Sequence, residues 1–154
     1  MSTAIEKVKT EADKAKGRLL RTFESVPDDK LSFSPGGEAK TALQIVEHAG
    51  GSNLFFSRWI AGTAAPNPEE AKKHQDESHV QTRIEALQLI EESHRALLAS
   101  LDGISDATLE DDRESPFGVW KLRDVIYLPI LHYHGHASQI DYLQTIWGDM
   151  DWHM

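Results

Sequence analysis

Apolar residues recur at alternating steps of three and four in four long segments of this 154-residue chain. Such spacing lines one face of an α-helix, and it predicts helices over four ranges, 4–26, 41–61, 82–102 and 122–147. No segment of useful length alternates as a half-buried strand would, and no internal repeat is present. The sequence therefore predicts an all-α fold in which residues 1–154 form a single domain, a four-helix bundle.

Capping signals and turn-rich connections separate these helices. A threonine precedes a Glu or Gln by three residues at Thr3, Thr41 and Thr82. This is the pattern of a capping box, in which two side chains satisfy backbone N–H groups of the first helical turn. Residues 62–78 have the composition of a linker, and residues 106–118 are predicted to form an acidic loop.

Glycine and proline interrupt two of the predicted helices. Gly50 and Gly51 lie in the middle of the second helix, which predicts a bend or a close approach by a neighbouring backbone. Pro129 lies inside the last predicted helix and predicts a kink one turn before its histidines.

Composition excludes several classes of protein. The 16 Lys and Arg residues against 25 Asp and Glu give a net charge of −9, which disfavours binding to nucleic acid or anionic membranes. The absence of cysteine excludes disulfides, thiolate zinc sites and cysteine nucleophiles. Residues 1–20 lack the apolar stretch of a signal peptide. The longest uncharged stretch, 125–140, is too short to span a bilayer. We therefore expect a cytoplasmic protein.

Three histidines are candidate metal ligands. His132 and His136 are four residues apart, so their imidazoles project from successive turns of one helix face and can chelate one ion. His48 is the natural third ligand because it lies on the apolar stripe of the second helix. Three neutral imidazoles suit Zn²⁺, Ni²⁺ or Fe²⁺. Metal affinity should fall as the pH drops through about 6.5, the ordinary pKa of histidine.

The spacing of these histidines does not by itself distinguish a metal site from hydrogen-bonded histidines in the core. Their position on the apolar stripes favours a function, because an unpaired buried imidazole costs about 1–3 kcal/mol. Catalytic motifs of other kinds are missing: the sequence has no His-Glu-x-x-His, no phosphate-binding glycine loop and no Gly-x-Ser-x-Gly. No catalytic residue can be assigned from the sequence.

The remaining histidines are weaker candidates. His134 is predicted to face a neighbouring helix or solvent. His74 and His79 lie in or beside the linker and are expected to be solvated, and His153 lies in a C-terminal tail expected to fray. His94 lies near an inward stripe, but a di-iron site would need a second Glu-x-x-His, which the sequence lacks.

Several other side chains are candidates to line a cleft beside the triad. Ser52, one turn beyond His48, would donate a hydrogen bond to a ligand there or simply fill a helix crossing. Four aromatic residues are candidates either for the wall of the pocket or for the core or a dimer interface: Trp59, Trp120, Tyr127 and Tyr133.

Three motifs resemble those of the DinB/YfiT-like proteins. Residues 132–143 are similar to the last-helix signature of that family, in which His-x-x-x-His is followed by Arg-Gly-Gln-Ile. Residues 41–48 resemble its second helix, where one histidine follows an apolar run, and residues 115–118 match the segment before the last helix. The chain departs from the signature at Ala137 and Ser138, which replace the usual Arg-Gly.

The resemblance implies a DinB/YfiT-like four-helix bundle that holds a divalent metal ion through His48, His132 and His136. It also implies a homodimer and a small-molecule substrate, with a low-molecular-weight thiol as a candidate co-substrate. The characterised branches are bacillithiol S-transferases and mycothiol-dependent isomerases. The expected function is therefore activation of a thiol or water for attack on a small electrophile, by a transferase or hydrolase. The alternative is a non-catalytic dimeric bundle with a structural metal site or metal-free histidines.

Overall fold

Four long helices dominate the described part of the chain, which the computed structural model gives for residues 3–63, 69 and 79–154. They are α1 (Ala4–Ser25), α2 (Ala42–Ile60), α3 (Arg83–Asp102) and α5 (Leu128–Thr145), and the single-turn helix α4 (Leu122–Val125) precedes α5. Short 3-10 turns follow α1 and α3. Most of the predicted linker, including His74, lies outside the described residues. Within the described residues, no helix has the length and apolarity to cross a membrane.

The helix starts follow the predicted capping boxes. The hydroxyls of Thr3, Thr41 and Thr82 each accept the backbone N–H three residues later, and the Glu or Gln at that position accepts the threonine N–H in return. Each box satisfies two N–H groups that a helix start otherwise leaves without partners. The sequence therefore predicts these three helix starts correctly.

Packing pairs α1 with α5 and α2 with α3, and α2 also contacts α5. The predicted apolar stripe of α1 is buried along its whole length and forms much of the core with side chains of the other three helices: Ile60, Ile90, Leu97 and Ile140 are among them. The predicted all-α four-helix bundle is confirmed. The apolar spacing of the third predicted helix also places Ile84 inward, but Ile84 is 68% exposed because it lies about 130° around α3 from the buried face formed by Ala86, Ile90 and Leu97.

Gly50 is required by the packing of α2 on α3. A Cβ atom at residue 50 would lie 2.6 Å from Cγ of Leu89, whereas a Cβ at Gly51 would have nothing within 4 Å. The predicted close approach therefore occurs at Gly50, and the neighbouring group is a leucine side chain rather than backbone.

We expect Gly50→Ala to destabilise the protein relative to Gly51→Ala by about 1–3 kcal/mol, the typical cost of overpacking. Both changes improve helix propensity equally, by about 1 kcal/mol, so the difference between the variants reports the clash with Leu89 alone. Urea denaturation of both variants measures it. Equal stabilities would show that Leu89 moves aside without cost.

A short β-hairpin replaces part of the predicted acidic loop, so the expectation of no strands was wrong. Strand β1 (Asp112–Ser115) pairs antiparallel with β2 (Gly118–Lys121), with Ser115 opposite Gly118. Gly118 has φ +110°, a conformation that favours glycine. The strands are mostly exposed, so their side chains carry no apolar alternation that would have identified them.

The predicted last helix is divided in two, and the predicted kink at Pro129 is wrong. Helix α4 ends at Val125, and Pro129 lies in the first turn of α5, which begins at Leu128. A proline is tolerated there because the first N–H groups of a helix have no intrahelical partner. Pro129 therefore starts the helix that carries His132 and His136.

Candidate metal centre

The three predicted ligands meet at one edge of the bundle. His48 projects from α2, and His132 and His136 project from successive turns of α5. One ring nitrogen of each residue lies within 4.8 Å of those of the other two. The ring centroids are 5.2 Å apart for His48 and His132, 5.0 Å for His48 and His136, and 4.2 Å for His132 and His136. We call these residues the histidine triad.

The histidine triad is half-buried rather than fully buried as its stripe predicted. In α5 the core face is formed by Tyr133, Ala137 and Ile140. His132 and His136 lie one residue earlier, about 100° around the helix. The triad therefore lies at the flank of the α2–α5 contact, where a ligand can reach it from solvent.

Burial and mutual proximity keep the imidazoles of the triad neutral. Desolvation lowers the pKa of His48, His132 and His136, and the electrostatic effect of His136 adds to it at the other two. For His132 the pKa falls to about 3. A neutral imidazole offers the lone pair that a metal ion needs. Because these pKa values are lowered, the loss of metal affinity expected near pH 6.5 is displaced to lower pH.

Hydrogen bonds define which nitrogens carry lone pairs. Nδ1 of His136 donates to the amide oxygen of Gln139 at 2.7 Å, which leaves a lone pair on its Nε2. Nε2 of His132 lies 3.0 Å from Nε2 of His136, so in the metal-free protein these two nitrogens share one proton, and a cation between them would take a lone pair from each. Nδ1 of His132 is buried without a hydrogen-bond partner.

This arrangement fits a divalent cation. Zn–N bonds of about 2.0–2.1 Å put the nitrogens of a tetrahedral site about 3.4 Å apart. In the triad, Nε2 of His132 and Nε2 of His136 are 3.0 Å apart, and all three ligand nitrogens lie within 4.8 Å of one another. A second residue that orients a metal-binding imidazole through its other nitrogen is typical of metal sites, and Gln139 occupies that position for His136. Gln139 follows His136 by three residues, and this helical spacing is the sequence signal that could have identified the contact.

One side of the triad is aromatic and the other is open. The ring of Phe56 lies 5.5 Å from that of His132, and Phe55 contacts both Phe56 and the hairpin residue Phe117. Gly51 and Gly135, each three residues beyond a triad histidine, are exposed, and a Cβ at either would meet no atom within 4 Å. A small molecule can therefore approach between α2 and α5.

A single exposed lysine influences the electrostatics of the triad. Lys40 precedes α2, and its charge contributes to the lowered pKa of His48 and of His136. A cation close enough to exert this effect favours neutral imidazoles and attracts anionic groups to the site.

The other predicted site residues are distributed as follows. Tyr133 and Trp59 are both buried, so the core alternative is confirmed for them. Trp59 packs against the partly exposed Trp120 with ring centroids 5.9 Å apart. Ser52 is half-buried and Tyr127 is 47% exposed.

The histidines outside the triad occupy three different environments. His134 faces α1, as predicted, with Nδ1 3.3 Å from Arg18. His79 is exposed, and its backbone N–H donates to Glu47. The prediction that His153 frays was wrong, because its ring lies 3.0 Å from the hydroxyl of Ser25 and 3.0 Å from the carboxylate of Asp149. His94 is not part of the triad.

The metal-free protein should lose stability as the pH falls below 6.5. The triad imidazoles titrate near 6.5 in the unfolded chain and lower in the folded one, so the unfolded state binds more protons in this window. His132 alone should contribute a loss of about 1–2 kcal/mol by pH 5. Urea denaturation at pH 7.5 and pH 5.0 measures the loss. The variant His132→Gln cannot titrate at this position, so it should lose less stability between pH 7.5 and pH 5.0. A pH dependence equal to that of the wild type would show that titration of His132 is not the cause.

This chain is a helical bundle in which histidines from two helices form a candidate three-histidine metal centre. The DinB superfamily model matches residues 11–140. The chain therefore belongs to the DinB superfamily. No curated protein matches the sequence.

Solved structures of this fold include YfiT from Bacillus subtilis, described as a probable metal-dependent hydrolase with an unusual four-helix bundle topology. It is 20% identical with a TM-score of 0.75, and the match covers 96% of this chain and 90% of YfiT. A mycothiol-dependent maleylpyruvate isomerase is 15% identical with a TM-score of 0.73, and this chain spans 63% of its length. ClbS, a colibactin self-resistance protein solved with double-stranded DNA, is 14% identical with a TM-score of 0.72, and the match covers 94% of this chain and 98% of ClbS. At these identities the likeness establishes the fold alone.

Proposed function

We propose that this protein is a metal-dependent enzyme in which His48, His132 and His136 hold a divalent cation and a thiol or water attacks a small electrophile. The observation that carries the proposal is the convergence of three neutral imidazoles within 4.8 Å at a face open to solvent. The names of two structural relatives support it, since one is described as a probable metal-dependent hydrolase and the other as a mycothiol-dependent isomerase.

A bound Zn²⁺, Ni²⁺ or Fe²⁺ lowers the pKa of a coordinated thiol or water and so supplies a nucleophile at neutral pH. Residues around the triad orient the ligands and shape the site. Gln139 holds the ring of His136 in one tautomer. Phe56 covers one side of His132 and excludes water there. Lys40 attracts an anionic thiol or substrate to the open side.

The departure from the family signature does not alter the triad. Ala137 is fully buried in the core, and the hydroxyl of Ser138 accepts a hydrogen bond from Arg18 at 3.1 Å. Ala137 therefore belongs to the core, and Ser138 contacts α1. We propose that Lys40, whose charge acts on His48 and His136, attracts an anionic thiol in place of the usual arginine of the signature.

We further propose that residues 1–154 act as one domain, as a homodimer in the cytoplasm, on a small molecule rather than on nucleic acid. The net charge of −9 supports the last point, although ClbS was solved with DNA.

Metal analysis of the purified protein tests the proposal. We expect about one equivalent of Zn²⁺, Ni²⁺ or Fe²⁺ per chain, as isolated or after reconstitution. The Co²⁺-loaded protein should then develop a sulfur-to-cobalt charge-transfer band when a small thiol such as N-acetylcysteine is added. Less than about a tenth of an equivalent after reconstitution would contradict the metal site. A full equivalent without any response to thiol would favour water as the nucleophile.

A further inference from the structure

A buried hydrogen-bond network joins the four long helices beside the histidine triad. Asp13 on α1 lies 2.8 Å from Nε2 of His94 on α3, and Nδ1 of His94 lies 3.1 Å from the hydroxyl of Tyr133 on α5. The same hydroxyl accepts from the side-chain amide of Asn53 on α2 at 2.5 Å. The Asn53 amide also donates to Ser93 on α3 at 3.2 Å.

The donors and acceptors of this network are consistent along its length. Asn53 donates to the oxygen of Tyr133, whose O–H donates to Nδ1 of His94, and the Nε2–H of His94 donates to the carboxylate of Asp13. This assignment makes His94 a neutral imidazole with both nitrogens satisfied. Asn53, His94 and Tyr133 are 1%, 2% and 0% exposed, so water does not compete for their bonds.

We propose that Tyr133 is a positioning residue for the metal centre, because its hydrogen bond to Asn53 sets how α5 lies against α2; the inference rests on the proposed metal-binding function. His48 is on the same helix as Asn53, and His132 is the residue before Tyr133. The bond thus joins the two helices whose histidines must converge. A packed helix moves largely as a rigid element, so a shift at the Asn53–Tyr133 bond changes the separation between His48 and the other two ligands.

A purely apolar core would hold the helices together without this network. Buried hydrogen bonds restrict the side chains that make them to one arrangement, because any displacement leaves a buried polar group without a partner. The network is satisfied except at Oδ1 of Asn53, which is buried without a hydrogen-bond partner. The ligand nitrogens of a metal site must be held in a fixed arrangement, so we expect hydrogen bonds that fix the position of one helix against another beside such a site.

The test compares Tyr133→Phe with Thr22→Val. The first removes only the Tyr133 hydroxyl. The second removes a hydroxyl from another buried interhelical network, in which Thr22 on α1 bonds Asp141 and Gln144 on α5 and, among the described residues, has no hydrogen bond to α2. Competition titration with a chromogenic chelator gives the Zn²⁺ affinity of each variant and of the wild type. We expect Tyr133→Phe to bind about 10-fold more weakly and Thr22→Val to bind within about twofold of the wild type.

A second readout separates positioning from a loss of stability. The visible absorption of bound Co²⁺ depends on the geometry of its ligands, so its bands should shift in Tyr133→Phe and not in Thr22→Val. Asn53→Leu removes the other partner of the bond and should give the same shift. The double variant should then lose no more Zn²⁺ affinity than the weaker-binding single variant.

The outcomes distinguish this inference from the proposed function. A wild-type protein that binds no Zn²⁺ or Co²⁺ overturns both. Wild-type affinity and an unshifted Co²⁺ spectrum in Tyr133→Phe overturn the positioning role and leave the metal site intact. Equal losses in Tyr133→Phe and Thr22→Val also overturn it, because they assign the effect to general destabilisation. Variants of Tyr133 and Asn53 that both fail to fold assign the network to stability alone.

Discussion

Replacing His136 with alanine should weaken Zn²⁺ binding by about 100-fold or more while leaving the helical bundle folded. The apparent binding energy of a structural zinc site, about 10–16 kcal/mol shared among four ligands, makes each ligand worth several kcal/mol. The fold should survive because His136 is half-buried at the flank of the bundle and its ring contacts mainly the other two histidines and Gln139. Isothermal titration with Zn²⁺ and circular dichroism measure the two effects.

His134→Ala is the matched control for this substitution. It removes the same type of side chain from the same helix, but the ring of His134 faces Arg18 on α1. Its Zn²⁺ affinity should equal that of the wild type. Loss of affinity in both variants, or in neither, would contradict the assignment of His136 as a ligand.

Removing the metal should leave the protein folded, and restoring it should raise stability substantially. The core includes Leu19, Phe23 and Leu97, which are fully buried, whereas the triad is half-buried at the flank of the bundle, so we expect the bundle to fold without the ion. A metal that binds only the folded state at 1,000 times its Kd adds about 4 kcal/mol. Urea denaturation after chelator treatment, and again after Zn²⁺ is restored, measures this difference.

The same experiment separates the enzyme from its alternative. A bundle held together by a structural metal ion would lose its helical signal in the chelator, as small zinc domains do. His48→Ala serves as the control, because the stability of that variant should not respond to Zn²⁺. A folded metal-free protein whose stability also ignores Zn²⁺ would support the metal-free alternative.

The helices and their starts could be predicted because the signals are local. The apolar stripe of α1 is buried exactly where its spacing placed it, and the three capping boxes involve residues only three positions apart. The histidine triad was predicted in part from spacing, since His132 and His136 must share a helix face. His48 was proposed as the third ligand because it lies on the apolar stripe of the second helix, and the resemblance to a family supported this choice. Spacing within one helix does not show which residue of another helix it meets, so the convergence itself could not be derived from spacing.

Features that depend on packing could not be predicted. The stripe of α5 was assigned about 100° from the true core face, because apolar and polar residues are mixed on both faces of this helix, whose one charged residue is Asp141. The hairpin has exposed strands and carries no alternation. The hydrogen bonds of the network of Asp13, His94, Tyr133 and Asn53 join residues up to 81 positions apart, and only the three-dimensional structure brings them together.

The central claim is that His48 and the two histidines of α5 bind one cation. A crystal structure of the Zn²⁺-treated protein, with anomalous data collected on both sides of the zinc absorption edge, tests it most directly. We predict a single strong peak with ring nitrogens of His48, His132 and His136 about 2.0–2.1 Å away. A map without a peak there, or a zinc ion bound by only the two histidines of α5 with the ring of His48 turned away, would contradict the account.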